Sequence, residues 1–136
     1  MHKERSLALA EHIPIRWGDM DAMGHVNNTI YFRYMEQVRV SWFEKTFGEL
    51  SGSQKEGMVI VNASCNFLKP LTYPGTVEVK MLFGAASRSS VESYYEMRKD
   101  DVLYADGAAK IVWIDVQRGK AVPLPDAIRA LCPVHK

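Results

Sequence analysis

The chain of 136 residues predicts an α+β domain in which an antiparallel sheet wraps around one long central helix. Two observations carry this. From Tyr31 to Phe43 apolar residues recur at steps of three and four, the period of one helix face. After Gly57 the pattern switches to alternation, the period of half-buried strands. Four successive strands of that kind form a sheet with one apolar face, and only the predicted helix is long enough to cover it.

The elements follow in order. Ile13 to Trp17 alternates apolar residues with Pro14 and Arg16 and reads as a short strand. The helix is expected to begin near Asn27 to Thr29 with an Asn as N-cap, and Gly48 closes it. Its stripe is Tyr31, Tyr34, Met35, Val38, Trp42 and Phe43, while Ile30, Phe32 and Val40 fall partly outside, so more than one side is expected to be covered. Roughly 18 to 20 helical residues make a rod of about 30 Å. Val59, Val61, Ala63, Cys65 and Phe67 are expected on one face of a strand ending at Lys69-Pro70. A turn at Tyr73-Pro74-Gly75 leads to a strand through Val77, Val79, Met81 and Phe83. Another carries Val91, Ser93, Tyr95 and Met97; Lys99-Asp100-Asp101 turns into a last long strand from Val102 to Val116, and Pro125 to Leu131 reads as a short helix.

Residues 1–136 read as a single domain, long enough to bury a core and too short for two. A formal net charge of +1 argues against a nucleic-acid partner, which calls for a basic stripe. No run of about 18 apolar residues is present, so no membrane span is expected. The Met1–Ser6 stretch lacks the apolar core of a secretory leader. Cys65 and Cys132 do not make a disulfide framework, which leaves a reducing, cytoplasmic setting as the expectation; Cys65 on an apolar strand face reads as a buried, inert thiol. Such a sheet leaves strand edges and one side of the helix open, so a homodimer or homotetramer is expected.

The chemistry-bearing segment is Arg16-Trp-Gly-Asp19-Met-Asp21-Ala-Met-Gly24-His25-Val-Asn27-Asn28. It delivers carboxylates and an imidazole to the start of the helix, where unpaired N–H groups and the positive dipole end stabilise developing negative charge. Asp19-x-Asp21-x-x-Gly24 opens like a calcium loop, but Met23 and Ile30 occupy the fifth and twelfth positions, where ligands are needed. Asp19, Asp21 and His25 lack a fourth ligand at a recognisable spacing, so no metal is expected. Asp19 reads as a carboxylate shaping the loop through a turn or cap-like hydrogen bond. Asn27 and Asn28 read as caps.

This segment resembles the opening motif of hotdog-fold acyl-CoA thioesterases, the 4-hydroxybenzoyl-CoA thioesterase superfamily. Gly24-His25-Val26-Asn27-Asn28 is closer to the long-chain acyl-CoA branch. The resemblance implies the hotdog fold, hydrolysis of an acyl-CoA to free acid and coenzyme A, no cofactor, and a site at the subunit interface. It implies that Asp21 is the catalytic carboxylate, as general base or as nucleophile. Backbone N–H groups around Val26 to Asn28, that of Asn28 foremost, would hold the oxyanion. His25 would orient Asp21 or a water or donate to the thioester; equally, it is a loop residue satisfied by backbone carbonyls. Arg88, Ser89 and Ser90 resemble the stretch that meets the coenzyme A nucleotide, with Lys69 a second candidate. Tyr31 and the face around Val59 and Asn62 are candidates for the acyl channel. A hotdog dehydratase on 3-hydroxyacyl thioesters and a non-catalytic acyl-thioester binding module are the alternatives.

Overall fold

The computed structural model describes residues 4–49, 52 and 54–133; of the Met1–Ser6 stretch, the first three residues lie outside that set. Strand β1 (Ser6–Pro14) leads through a 3₁₀ turn (Trp17–Asp19) to helix α1 (Asn28–Phe47). Strands β2 (Glu56–Phe67), β3 (Thr76–Ala86), β4 (Ser90–Lys99), β5 (Val102–Asp115) and β6 (Lys120–Ala121) follow, then a short helix α2 (Asp126–Arg129). All strand pairs are antiparallel, in the order β1-β3-β4-β5-β2, with β6 paired to β5. No helix among the described residues is long and apolar enough to cross a membrane.

Helix α1 starts and stops where its end residues dictate. The Asn27 side chain accepts the Thr29 N–H, and the Gly48 N–H donates to Glu44 O. The predicted stripe of Tyr31, Tyr34, Met35, Val38, Trp42 and Phe43 is the set that is buried. It packs on the inner face of the sheet, where Val77, Val79, Met81 and Phe83 of β3 meet Val91, Tyr95 and Met97 of β4. At Gly107 on β5 an added Cβ would lie 2.5 Å from Met35 Sδ and 3.0 Å from the Ser64 carbonyl, so the missing side chain lets the helix approach.

Ser93 is a polar residue in this apolar face, and its hydroxyl is fully used. Its one proton goes to Ala109 O at 2.7 Å, so the Tyr95 hydroxyl, also at 2.7 Å, is the donor to Ser93 Oγ. Tyr95 in turn accepts from Arg39 Nη1 at 3.2 Å. Among the described residues no buried side-chain nitrogen or oxygen lacks a partner.

Two expectations are corrected. The first strand runs Ser6–Pro14 rather than Ile13 to Trp17, because β1 pairs with β3 from Ser6↔Phe83 to Pro14↔Thr76. Asp19 then takes the Arg16 N–H and curls the chain into the 3₁₀ turn. The second concerns β2. Ile60 pairs with Ile111 and Asn62 with Lys110, so Val61 is an extra residue, a bulge. Met58 and Ile60 therefore face the helix before the bulge, and Ala63, Cys65 and Phe67 after it. Val59 and Asn62 pair with Val112 and Lys110, which alternate with the buried Ile111 and Ala109. Both point away from the helix and from any channel beneath it.

Candidate active site

The loop before α1 is built around two aspartates with different fates. Asp19 is 2% exposed. Its carboxylate accepts the Arg16 N–H at 2.9 Å, Arg16 Nε at 3.2 Å and the Tyr34 hydroxyl at 3.1 Å, and it pairs with Arg16 Nη2 at 3.1 Å. Burial and the adjacent Asp19 charge push the Tyr34 phenol well above its ordinary range, so it stays the donor. Asp19 is thereby saturated, as expected of a carboxylate that shapes the loop.

Asp21 is half-buried and only half-used. Its Oδ1 accepts the Met23 N–H at 2.9 Å and, at 3.5 Å, the His25 N–H. The Asp21 N–H donates to His25 O and the Gly24 N–H to Asp21 O, while Gly24 supplies the left-handed φ of 80° that tightens the loop. No partner of Oδ2 is found among the described residues. The Asp21 side chain is thus both a turn former and a carrier of one uncommitted oxygen.

The helix start is more committed than the sequence suggests. The Val26 N–H donates to Leu71 O at 2.8 Å and the Asn27 N–H to Asp19 O at 2.9 Å. The Thr29 N–H is taken by the Asn27 cap, and the Ile30 N–H by Asn27 O. Of the expected donors at Val26 to Asn28, only the Asn28 N–H has no acceptor among the described residues.

Asp21, His25, Asn28, Tyr31 and Lys69 line one cavity of about 350 Å³, together with Met23, Val26, Phe67, Leu68 and Pro70. Tyr31 holds its inner wall: its hydroxyl accepts the Leu71 N–H at 3.1 Å, and burial raises its pKa. Phe67 meets the Tyr31 ring edge-on at 5.0 Å. Periodicity had no means of finding Phe67 and Leu68, since they reach the cavity through the strand order. Cys65 is half-buried beside this wall, and burial pushes its thiol up to about 11, so it stays protonated.

Arg88, Ser89 and Ser90 lie elsewhere in the chain. Their turn is held by Leu124 N–H and Arg129 Nη2 donating to Arg88 O and by Trp113 N–H donating to Ser89 O. Trp113 stacks on Phe43 at 5.9 Å, so this turn sits toward the C-terminal end of α1, whereas the cavity opens at the N-terminal end. Within one chain the two groups are not brought together. No group of three or more His, Cys, Asp or Glu among the described residues is placed to hold a metal.

A six-stranded antiparallel sheet curled on one long helix, with a carboxylate loop at the helix start, is the hotdog fold of thioester hydrolases. The chain belongs to the thioesterase-like superfamily, whose family model matches residues 15–131. It is similar to the PA2801 protein of Pseudomonas aeruginosa, for which a thioesterase activity has been proposed: 39% identity, 91% of this chain and 97% of that one covered, TM-score 0.86. It is also similar to XC229 of Xanthomonas campestris, proposed to be an acyl-CoA thioesterase, at 33% identity over 80% and 94% of the two chains with a TM-score of 0.73. The gentisyl-coenzyme A thioesterase BH1999 shares the fold at 24% identity, covering 90% and 98%, with a TM-score of 0.81. The protein is a thioester hydrolase.

Proposed function

We propose that the substrate is an acyl-CoA and that Asp21 carries the reaction. The observation that supports this reading is a pairing: Asp21 Oδ2 and the Asn28 N–H, both without partners among the described residues, belong to residues lining one cavity. A thioester hydrolase needs a base or nucleophile and an oxyanion donor, and these two groups supply both. With Asp21 as base, Oδ2 takes a proton from water as the water oxygen bonds to the thioester carbon. The carbonyl oxygen becomes an oxyanion held by the Asn28 N–H at the positive end of α1. The tetrahedral intermediate then expels the thiolate, which takes up a proton to give the free thiol. With Asp21 as nucleophile, the same oxygen bonds to the carbon, the C–S bond breaks to expel the thiolate, which takes up a proton, and water then opens the mixed anhydride to the free acid and the Asp21 carboxylate. His25, on the cavity wall, orients the water or the carboxylate.

Coenzyme A is favoured as carrier by the relatives' names and by the small net charge of +1, which offers no broad basic face to an acidic carrier protein. Lys69, exposed at the cavity rim, serves a phosphate there. The protein works as a homodimer joined through β2, whose outer edge is unpaired among the described residues. Antiparallel pairing of two β2 strands reverses direction across the two-fold axis. The Arg88–Ser90 turn of the partner subunit then comes to the same end of the assembly as the Asp21 cavity, where it meets the nucleotide. The two free cysteines suit a cytoplasmic enzyme.

Thiol release from acyl-CoA by Asp21→Asn tests this. The expected result is a kcat lower by about 10²–10⁴ with thermal stability nearly unchanged, because Oδ1 still caps its loop. Undiminished turnover removes Asp21 from the reaction.

A further inference from the structure

The segment 68–75 that joins β2 to β3 is neither strand nor helix, yet it holds the Asp21 loop at three points. The Ile15 N–H donates to Gly75 O and the Val26 N–H to Leu71 O, both at 2.8 Å. The Tyr73 N–H donates to Met20 Sδ at 3.3 Å. Met20 and Val26 face each other across an isolated antiparallel bridge, and they flank the turn of residues 21–25. The two ends of the turn that carries Asp21 are therefore fixed to Tyr73 and Leu71, the neighbours of Thr72 on either side.

Lys99, the last residue of β4, clamps that segment. Its Nζ donates to Thr72 O at 3.1 Å and to Pro74 O at 2.9 Å. Its stem lies against Gly75, where an added Cβ would collide with Lys99 Cε. Among the described residues Lys99 forms no ion pair; its charge is spent on two carbonyls, and such charged donors make the stronger hydrogen bonds. The Thr72 carbonyl and the Tyr73 N–H belong to one planar peptide group. An ammonium on the oxygen fixes that plane and polarises the group, which strengthens the N–H as donor to the weak thioether acceptor of Met20. Further along the segment, the Leu68 and Lys69 N–H groups donate to Tyr104 O and the Leu71 N–H to the Tyr31 hydroxyl. Among the described residues, 72–74 are held only by Lys99 and the Met20 contact.

We propose that Lys99 is a positioning residue for the hydrolysis: it fixes the Thr72 and Pro74 carbonyls and, through Leu71 and Tyr73, the placement of Asp21 Oδ2 relative to the Asn28 N–H. This rests on the reading of Asp21 as the reacting acid. Lys99 does not line the Asp21 cavity, so it acts through the segment it clamps. The acid and the amide must meet one thioester carbonyl together, and a misplacement of about 1 Å caused far from the chemistry costs up to about 10²-fold in rate.

Steady-state turnover of an acyl-CoA and backbone amide exchange, both on the full chain, test this together. Lys99→Met keeps a stem over Gly75 and removes the ammonium. Its kcat should fall about ten- to a hundredfold with KM within about twofold of the wild type, because the clamped residues 72–74 do not line the cavity. In the same variant the Ile15 and Val26 amides should exchange about tenfold faster or more, while those of Tyr95 and Ile111 in the sheet core keep their rates. Lys99→Arg still donates to carbonyls and should recover most of the kcat and the slow exchange. A wild-type kcat with only a lower unfolding midpoint makes Lys99 merely structural and overturns the proposal. A raised KM at unchanged kcat overturns it too, as does a kcat loss with unchanged exchange at Ile15 and Val26, or one that Lys99→Arg leaves in place. Should Lys99→Met not fold, Lys99→Gln is read by the same criteria. Full activity in Asp21→Asn sinks the acid assignment instead, and the amide exchange of the Lys99 variants is read independently of that result.

Discussion

The two carboxylates of the Asp19-Met20-Asp21 run show how environment divides labour between identical side chains. Asp19 is surrounded by donors and has no oxygen to offer; Asp21 keeps one. The Tyr34 bond to Asp19 ties the second turn of α1 to the loop that carries Asp21, across 15 residues of sequence. Tyr34→Phe removes this donor from a buried carboxylate, and the expected loss is roughly 1.5–3 kcal/mol, the range for hydrogen bonds to charged groups. Urea unfolding measures it, and unchanged stability would mean that the Arg16 contacts alone hold Asp19. Residue types, spacing and the resemblance together made part of this legible. Asp21, His25, Asn28, Tyr31 and Lys69 are close in sequence or face one helix end, and they share a cavity. Spacing did not reveal which amides stay free, because the Val26 N–H is consumed by Leu71, a residue 45 positions away. Such a long-range contact leaves no trace in local pattern.

Elements were legible wherever a face is buried in full. The α1 stripe and the alternation on β3 and β4 follow from burial of one face alone, so sequence period and structure agree. Alternation carries no information about which strand lies alongside, and β2 sits beside β5 rather than β3. It also cannot register a bulge, because Val61 continues the apolar run of Val59 and Ile60 without a break. The β4–β5 hairpin adds a local strain that the sequence advertises only as a turn. Lys99 pairs with Val102, leaving Asp100 and Asp101 as a two-residue loop with φ of 51° and 64°. A two-residue loop with both φ positive is the type I′ hairpin turn, which favours Asn-Gly or Asp-Gly. Asp101→Gly relieves an L-residue held in the left-handed region, at some cost in unfolded-state entropy. The left-handed cost of about 1–2 kcal/mol less the roughly 0.5–1 kcal/mol of glycine entropy leaves an expected net gain of about 0.5–1 kcal/mol. It is read as a higher unfolding midpoint with turnover unchanged, since the hairpin is not part of the Asp21 cavity lining and Lys99 keeps its pairing with Val102. A lower midpoint would show that the loop is satisfied by its aspartates.

For the whole molecule, the sheet of the described residues ends in two edges of unequal character, β1 and β2. β1 is the shorter and carries Glu11, His12 and Pro14, residues that blunt an edge. β2 has 12 residues, a single charge at its first position and no proline. Val59, Val61 and Phe67 are 39%, 54% and 41% exposed on it, and α1 leaves its inner face largely open at Ala63. A long apolar edge of this kind favours the β2 pairing proposed above, and a net charge near zero offers little repulsion between copies. In the proposed dimer folding and association are linked by mass action, so the thermal midpoint should rise with protein concentration. Val61→Lys places a charge at the centre of the pairing edge, next to its own symmetry mate. It should shift the mass measured by light scattering toward one chain, lower the midpoint, abolish its concentration dependence, and cut acyl-CoA turnover, since the proposed site is completed by the second copy. Helical circular dichroism reports whether α1 persists in the variant. A wild-type chain that stays monomeric at every concentration while turning over substrate fully would show that β2 is protected by other means and that the site is complete in one copy.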